Sequence, residues 1–323
     1  MYQPENRINL EPFAEKTQLI RDAIGQYIVG QEKMITLLLT ALLADGHVLI
    51  EGVPGVAKTL TARLLSRVID VDFKRIQFTP DLLPSDIIGT SVYNAQSSKF
   101  VFNKGPLFSN FVLADEINRA PAKTQSALFE AMEERQITAD GTTYLLDEPF
   151  MVIATQNPVD LEGTYRLPEA QIDRFLFKII VDYPKLEEET EIINRHHQRK
   201  QNIDMSKVDR VIDRQSLLDL RKQVKEIYVD EKIIGYIAKL SDATRNNPDF
   251  FLGASPRASI AILETAKAFA ALNGRDFVNP DDIKFVAPYV MNHRVILSPE
   301  KELEGIGTAD YVTDIIKTVE IPR

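Results

Sequence analysis

The stretch HVLIEGVPGVAKTL, residues 47–60, sets the reading of the whole chain. Its first six residues are short, apolar and rich in branched side chains, which predicts a strand covered on both faces. Leu60, Leu64, Leu65 and Val68 then recur at helical spacing. Between strand and helix lies the turn Gly52-Val53-Pro54-Gly55-Val56-Ala57-Lys58-Thr59, which is the context a phosphate-binding loop requires. Glycines let the backbone wrap closely around an anion, and successive N–H groups point inward. The helix N-terminus adds partial positive charge. On this reading Lys58 reaches the β- and γ-phosphates and Thr59 offers a hydroxyl to Mg²⁺. The residue before the lysine is Ala57 rather than glycine, and its methyl group is tolerated if the local φ is negative.

Outward from this loop, VDFKRIQF (71–78), NFVLADE (110–116), PFMVIAT (149–155) and FLFKIIV (175–181) read as further strands. Helical stripes such as Met34, Leu37, Leu38, Ala41 and Leu42 alternate with them, predicting a parallel sheet with helices on both sides. Two segments interrupt the alternation as hairpins. Gly89 to Gly105 turns near Asn94 to Ser98, and Arg135 to Leu146 turns at Asp140-Gly141. After Pro184 a charged, helical stretch reads as a connection. From about Ser206 the pattern is all-helical. Ser255-Pro256 opens one helix, Asn273-Gly274 closes it and Asn279-Pro280 opens the next. Val312, Ile315, Ile316 and Val319 form a last stripe. The expected division is a nucleotide-binding α/β domain over 1–190, a linker over 191–205 and a helical domain over 206–323.

The 323 residues are 44% hydrophobic and 26% charged, an ordinary globular balance. With 38 Lys and Arg against 47 Asp and Glu, the net charge is −9. A general nucleic-acid binder is disfavoured, because counterion release needs clustered cations. The absence of cysteine excludes disulfides, Cys-based zinc sites and thiol nucleophiles. The N-terminal MYQPENRINLEPF has no basic start or apolar stretch, and the longest apolar run, around Ile35 to Ala44, is too short to cross a bilayer. A cytoplasmic protein without membrane insertion is expected. Of the four histidines, His47 reads as packed or hydrogen-bonded. His196 and His197 are adjacent and would point about 100° apart on a helix, a poor metal pair on a solvated face.

The strand Phe111 to Ala114 ends in Asp115-Glu116, at the mouth of a parallel sheet where ligands bind. Asp115 suits the Mg²⁺ shell and Glu116 the orientation of an attacking water. Asn157, after PFMVIAT, could hydrogen-bond the γ-phosphate and that water, or simply belong to an Asn-Pro turn. Arg174 either serves phosphate or pairs with Asp173 or Glu169. Arg257 stands in the first turn of a helix, where a cation opposes the helix dipole and favours an anionic partner such as phosphate. Phe100 and Phe102 read as hairpin packing, with substrate contact as the alternative.

Together these pieces resemble the AAA+ class of ATPases and, within it, the MoxR family. The residues carrying the resemblance are GVPGVAKT (52–59), LADEINRAPAKTQSALFEAMEE (113–134), ATQNP (154–158), LPEAQIDRF (167–175) and GASPRA (253–258). The family itself has alanine at the position of Ala57. The resemblance implies that Lys58 and Thr59 belong to Walker A, and Asp115 and Glu116 to Walker B. Asn157 then matches sensor 1, Arg257 sensor 2, and Arg174 the arginine finger that acts on ATP held by a neighbouring subunit. Ile28-Val29-Gly30-Gln31 resembles the segment that contacts adenine, so Val29 and Gly30 join Gly52 to Leu60 and Asp115 as expected ATP-binding residues. Thr59 and Asp115 would hold Mg²⁺, the latter through water. The implied fold is α/β: an αβα core with a five-stranded parallel sheet, two hairpin insertions and a helical lid. Members assemble into rings, commonly hexamers, and hydrolyse ATP in chaperone-like maturation or cofactor insertion, often alongside proteins with von Willebrand factor A-type domains. Two other readings remain: a chelatase-motor or helicase-like subunit, and a nucleotide-binding scaffold with little hydrolysis, which Glu116 argues against.

Overall fold

Two helices, α1 (Glu11–Gly25) and α2 (Glu32–Leu43), precede the first strand in a computed structural model that describes residues 9–157, 165, 167–199 and 203–322. The chain continues through β1 (Val48–Gly52), α3 (Lys58–Val68), β2 (Phe73–Gln77), α4 (Pro84–Ile88), β3 (Gly89–Asn94), β4 (Lys99–Lys104) and β5 (Phe111–Asp115). Next come α5 (Ala122–Glu134), β6 (Gln136–Ala139), β7 (Thr142–Leu145), β8 (Met151–Gln156), α6 (Glu169–Ile172) and β9 (Phe177–Val181). The five predicted apolar runs form one sheet in the order β2-β5-β8-β1-β9. Every pairing in it is parallel, so all five C-terminal ends share one edge.

Successive residues of each strand feed opposite cores, as the two-residue period requires. Val48 and Ile50 join one cluster with Phe111, Leu113 and Ile153. Leu49 joins the other with Val112, Ala114 and Val152. The first cluster runs on into the C-terminal helices, through Leu217, Ile237, Ile262 and Val286. Helix α2 differs from its predicted single stripe: Ile35, Leu39, Thr40 and Leu43 are buried as well. The cause is its position, packed against β9 and two helices of the C-terminal part.

Both hairpins form where the sequence placed them. Asp140 and Gly141 take φ values of 50° and 75°, the paired left-handed conformation of a two-residue turn. The hairpins also dock together. Phe102 of β4 stacks on Tyr144 of β7, with centroids 4.9 Å apart, and Phe108 packs edge-on to both. Ser91 hydrogen-bonds Asp140 across the same junction. Phe102 therefore packs as expected, whereas Phe100 remains 74% exposed beside Tyr93.

The charged stretch after Pro184 is a helix, α7 (Leu186–Arg199). Lys200 to Asn202, within the expected linker, lie outside the described residues, as does Pro158. The C-terminal part contains α8 (Arg214–Lys225), α9 (Glu231–Arg245), α10 (Pro256–Leu272), α11 (Pro280–Met291), α12 (Pro299–Leu303) and α13 (Thr308–Thr318). It is not purely helical: β10 (Phe250–Leu252) pairs antiparallel with β11 (Ile296–Leu297). Those runs are too short to produce a readable alternation. The two proposed caps also differ. Asn279 forms a capping box with Asp282, while Ser255 has the extended backbone of a cap but makes no side-chain cap bond, leaving Pro256 to fix the helix start.

His47 closes the lower edge of the sheet. Its Nδ1 accepts from the Val152 N–H at 2.9 Å, so Nε2 carries the proton and donates to the Met132 carbonyl at 3.1 Å. Burial, reinforced by Arg135, pulls its pKa down to about 3.

Candidate functional site

The loop leaves β1 at Gly52, where a Cβ would stand 2.5 Å from the Val181 carbonyl oxygen on β9. Only glycine fits this close approach. Gly55 turns the chain with φ +88°. Ala57 does not meet the condition set from sequence: its φ is 60° and its ψ 19°, in the left-handed region. The methyl group is carried there at a cost of about 1 kcal/mol. The first hydrogen bond into α3 runs from the Thr61 N–H to the Ala57 carbonyl, at 2.9 Å. The N–H groups of Ala57, Lys58, Thr59 and Leu60 are thus first-turn donors with no helical acceptor, which suits an anion.

Lys58 Nζ curls over the loop and donates to the Gly52 carbonyl at 2.5 Å. Burial holds its pKa below that of free lysine, against the opposing pull of Asp115, Glu116 and Glu51. Thr59 Oγ1 faces Asp115 Oδ2 at 3.5 Å. The carboxylate of Asp115 is fully engaged. Oδ1 accepts from Thr155 Oγ1 at 2.5 Å, and Oδ2 accepts from Arg75 Nε and Nη2 at 2.9 and 2.7 Å. Glu116 follows with φ 56° and ψ 50°, its N–H donating to Thr155 Oγ1 at 2.9 Å. Its carboxylate accepts from Gln77 Nε2 at 2.9 Å and pairs with Arg119 at 3.1 Å. Asn157 comes directly after Gln156, which lies in register with Glu51, so it stands at the same sheet edge between loop and acidic pair.

Thr59 and Asp115 offer hard oxygen donors on converging sides, the chemistry Mg²⁺ prefers. Among the described residues no cluster of three or more His, Cys, Asp or Glu could hold a metal alone, so a Mg²⁺ bound here would need phosphate oxygens and water to complete its shell. Beside the loop a cavity of about 250 Å³ is lined by Tyr27, Ile28, Val29, Gln31, Ala57 and Leu60. Its far wall is Pro184 with Ile192, Arg195 and His196 of α7. Gly30 takes φ +73°, and a Cβ there would stand 2.6 Å from the Glu188 side chain.

A profile of the ATPase family associated with various cellular activities (AAA) matches residues 47–177, and an AAA lid domain profile matches residues 242–315. The chain is 43% identical to Chaperone MoxR1 of Mycobacterium tuberculosis, over 93% of this chain and 81% of that protein. The chain belongs to the MoxR family of AAA+ ATPases. It is also similar to the uncharacterized protein YeaC of Bacillus subtilis, at 48% identity over 93% of this chain and 92% of that one. The crystal structure of a proposed ATPase from Cytophaga hutchinsonii superposes with a TM-score of 0.89, at 45% identity and 97% coverage of both chains.

Arg174 and Arg257 lie at the sheet edge opposite this chain's own phosphate loop. Arg174 precedes β9, whereas the phosphate loop follows β1, and Val48 to Gly52 pair with Phe177 to Val181. The sheet alone separates the two by about 13 Å, at roughly 3.3 Å per residue. Arg174 pairs with Glu133, not with the sequence neighbours Asp173 or Glu169, and donates to the Phe129 carbonyl at 2.8 Å. Arg257 joins it, 3.9 Å from Glu133 and 3.3 Å from Asp173, while Arg294 holds the other Asp173 oxygen at 2.6 Å. Arg174, Arg257 and Arg294 line an open cavity of about 350 Å³ at the lower sheet edge.

Sequence reading missed Arg75, Gln77, Arg119 and Thr155, all of which touch the acidic pair. A signal for the first two existed: Arg75 and Gln77 alternate within an otherwise strand-like run, so both project from one side of β2. His196 is exposed on α7, as its solvated-face reading expects, and it also borders the cavity beside the loop.

Proposed function

We propose that this chain binds ATP with Mg²⁺ and hydrolyses it to ADP and phosphate. The observation that carries this reading is the convergence of Lys58, Thr59, Asp115 and Glu116 at one sheet edge, with Thr59 Oγ1 3.5 Å from Asp115 Oδ2. Val29 and the hydrophobic cavity walls take the adenine. The first-turn amides from Ala57 to Leu60 and the Lys58 ammonium take the phosphates, while Thr59 and Asp115 hold the metal, Asp115 through water. When bound, Mg²⁺ offsets the charge that builds on the β- and γ-phosphate oxygens. Glu116 orients the attacking water and accepts its proton as the new P–O bond forms and the bond to the β,γ-bridging oxygen breaks. Asn157 steadies that water and the γ-phosphate.

Arg174 and Arg257 lie too far below the loop to reach a phosphate held by their own chain. In a ring, commonly a hexamer, both meet the ATP of the neighbouring copy, and each catalytic centre is shared between two chains. Nucleotide-driven movement then acts on a client protein in a chaperone-like role, alone or with a von Willebrand factor A-type partner. Replacing Glu116→Gln should leave ATP binding intact and abolish turnover, read by fluorescent-nucleotide titration and phosphate release. Hydrolysis at the wild-type rate in that variant would remove the assignment. Arg174→Ala should spare binding and slow turnover, and equal hydrolysis by dilute monomer would remove the role in trans.

A further inference from the structure

We propose that Arg75 is a positioning residue: it latches Asp115 until the metal arrives. The inference rests on the nucleotide-site reading above and adds a regulation of that site.

Arg75 and Gln77 are two residues apart on the edge strand β2, so their side chains share one side. The register sets Gln77 opposite Asp115 on β5. Arg75 gives two donors to a single atom, Asp115 Oδ2, and that atom is the one facing Thr59. The other oxygen is already committed to Thr155. The acceptor needed for a metal-bound water is therefore the one Arg75 occupies.

The two sides of this contact differ in freedom. The Asp115 side chain is 12% exposed and that of Arg75 48% exposed, so the arginine can swing into water while the carboxylate stays. A guanidinium and a divalent cation on the same oxygen repel each other within a few ångströms. Arg75 and the metal therefore compete for Asp115.

The test is the Mg²⁺ dependence of ADP binding, which needs no turnover. Fluorescently labelled ADP is titrated into the full chain in EDTA and over a Mg²⁺ series, with wild type, Arg75→Gln, Arg75→Met and Arg75→Lys compared. Both neutral variants should lower the half-saturating Mg²⁺ concentration by about tenfold, with affinity in EDTA unchanged, and Arg75→Lys should stay near wild type. The same Mg²⁺ midpoint in wild type and in a folded neutral variant, or a higher one in that variant, overturns the latch. Absence of ADP binding by wild type at any Mg²⁺ concentration would instead overturn the nucleotide site itself.

Discussion

His47 offers a direct measurement of how the sheet is tied to its surroundings. The ring is 4% exposed and held between the Val152 N–H and the Met132 carbonyl, so it must be neutral in the folded chain. Its folded pKa of about 3 lies well below the value of about 6.5 for an unfolded chain. The unfolded state therefore takes up the proton first. Stability contributed by this residue is present above about pH 6.5 and is lost as the pH falls toward 3. Between about pH 7 and pH 5 the loss from this one group is about 2 kcal/mol. His293, partly buried and with its pKa pushed well below the usual value by desolvation, adds a loss of the same sign that a His47 variant leaves intact. His47→Gln retains a donor and an acceptor but cannot titrate. It should be less stable at neutral pH by about 1–3 kcal/mol, because the amide cannot meet both partners at the ring's geometry. Equilibrium urea unfolding of wild type and variant at several pH values would separate the two effects. The gap should narrow by about 2 kcal/mol on acidification over that range. Parallel pH profiles for the two proteins would show that His47 is not held neutral as described.

Three further outcomes follow from the same geometry. Ala57→Gly should raise stability by roughly 0.5–1 kcal/mol in urea unfolding by relieving the left-handed conformation; a loss of stability would contradict that backbone. Gly52→Ala should destabilise by about 1–3 kcal/mol and weaken nucleotide binding, since its Cβ must displace the Val181 carbonyl; unchanged melting and binding would refute the close approach. Glu133→Gln removes the counter-ion shared by Arg174 and Arg257, so half-maximal ATPase should be reached at lower protein concentration, and an unaltered concentration dependence would argue against engagement in trans.

Much of this was legible in the chain because it rests on local rules. Strands buried on both faces announce themselves as continuous apolar runs, and the glycine-lysine turn and the Asp115-Glu116 step each lie within a few residues. Asp140-Gly141 fixed its hairpin for the same reason. What sequence could not supply was distance across the sheet. Arg75 and Asp115 are 40 residues apart and meet only because β2 and β5 are neighbours. Arg174 and Arg257 carry roles that their motifs name, but that they share Glu133 at the edge opposite the loop depends on packing no local pattern encodes. Ala57 shows another limit, since a single φ value depends on how the loop leaves β1.

The junction of Phe102 with Tyr144 carries a mechanical consequence. β4 leads through a short turn to the strand bearing Asp115, and β7 leads to β8, the strand that Asn157 follows. With their aromatic rings clasped, the two projections cannot swing separately: they form one lever whose two roots enter β5 and β8 at the sheet edge opposite the phosphate loop. A force applied at the exposed tip around Phe100 is divided between both roots, and a shift at either root moves the whole lever.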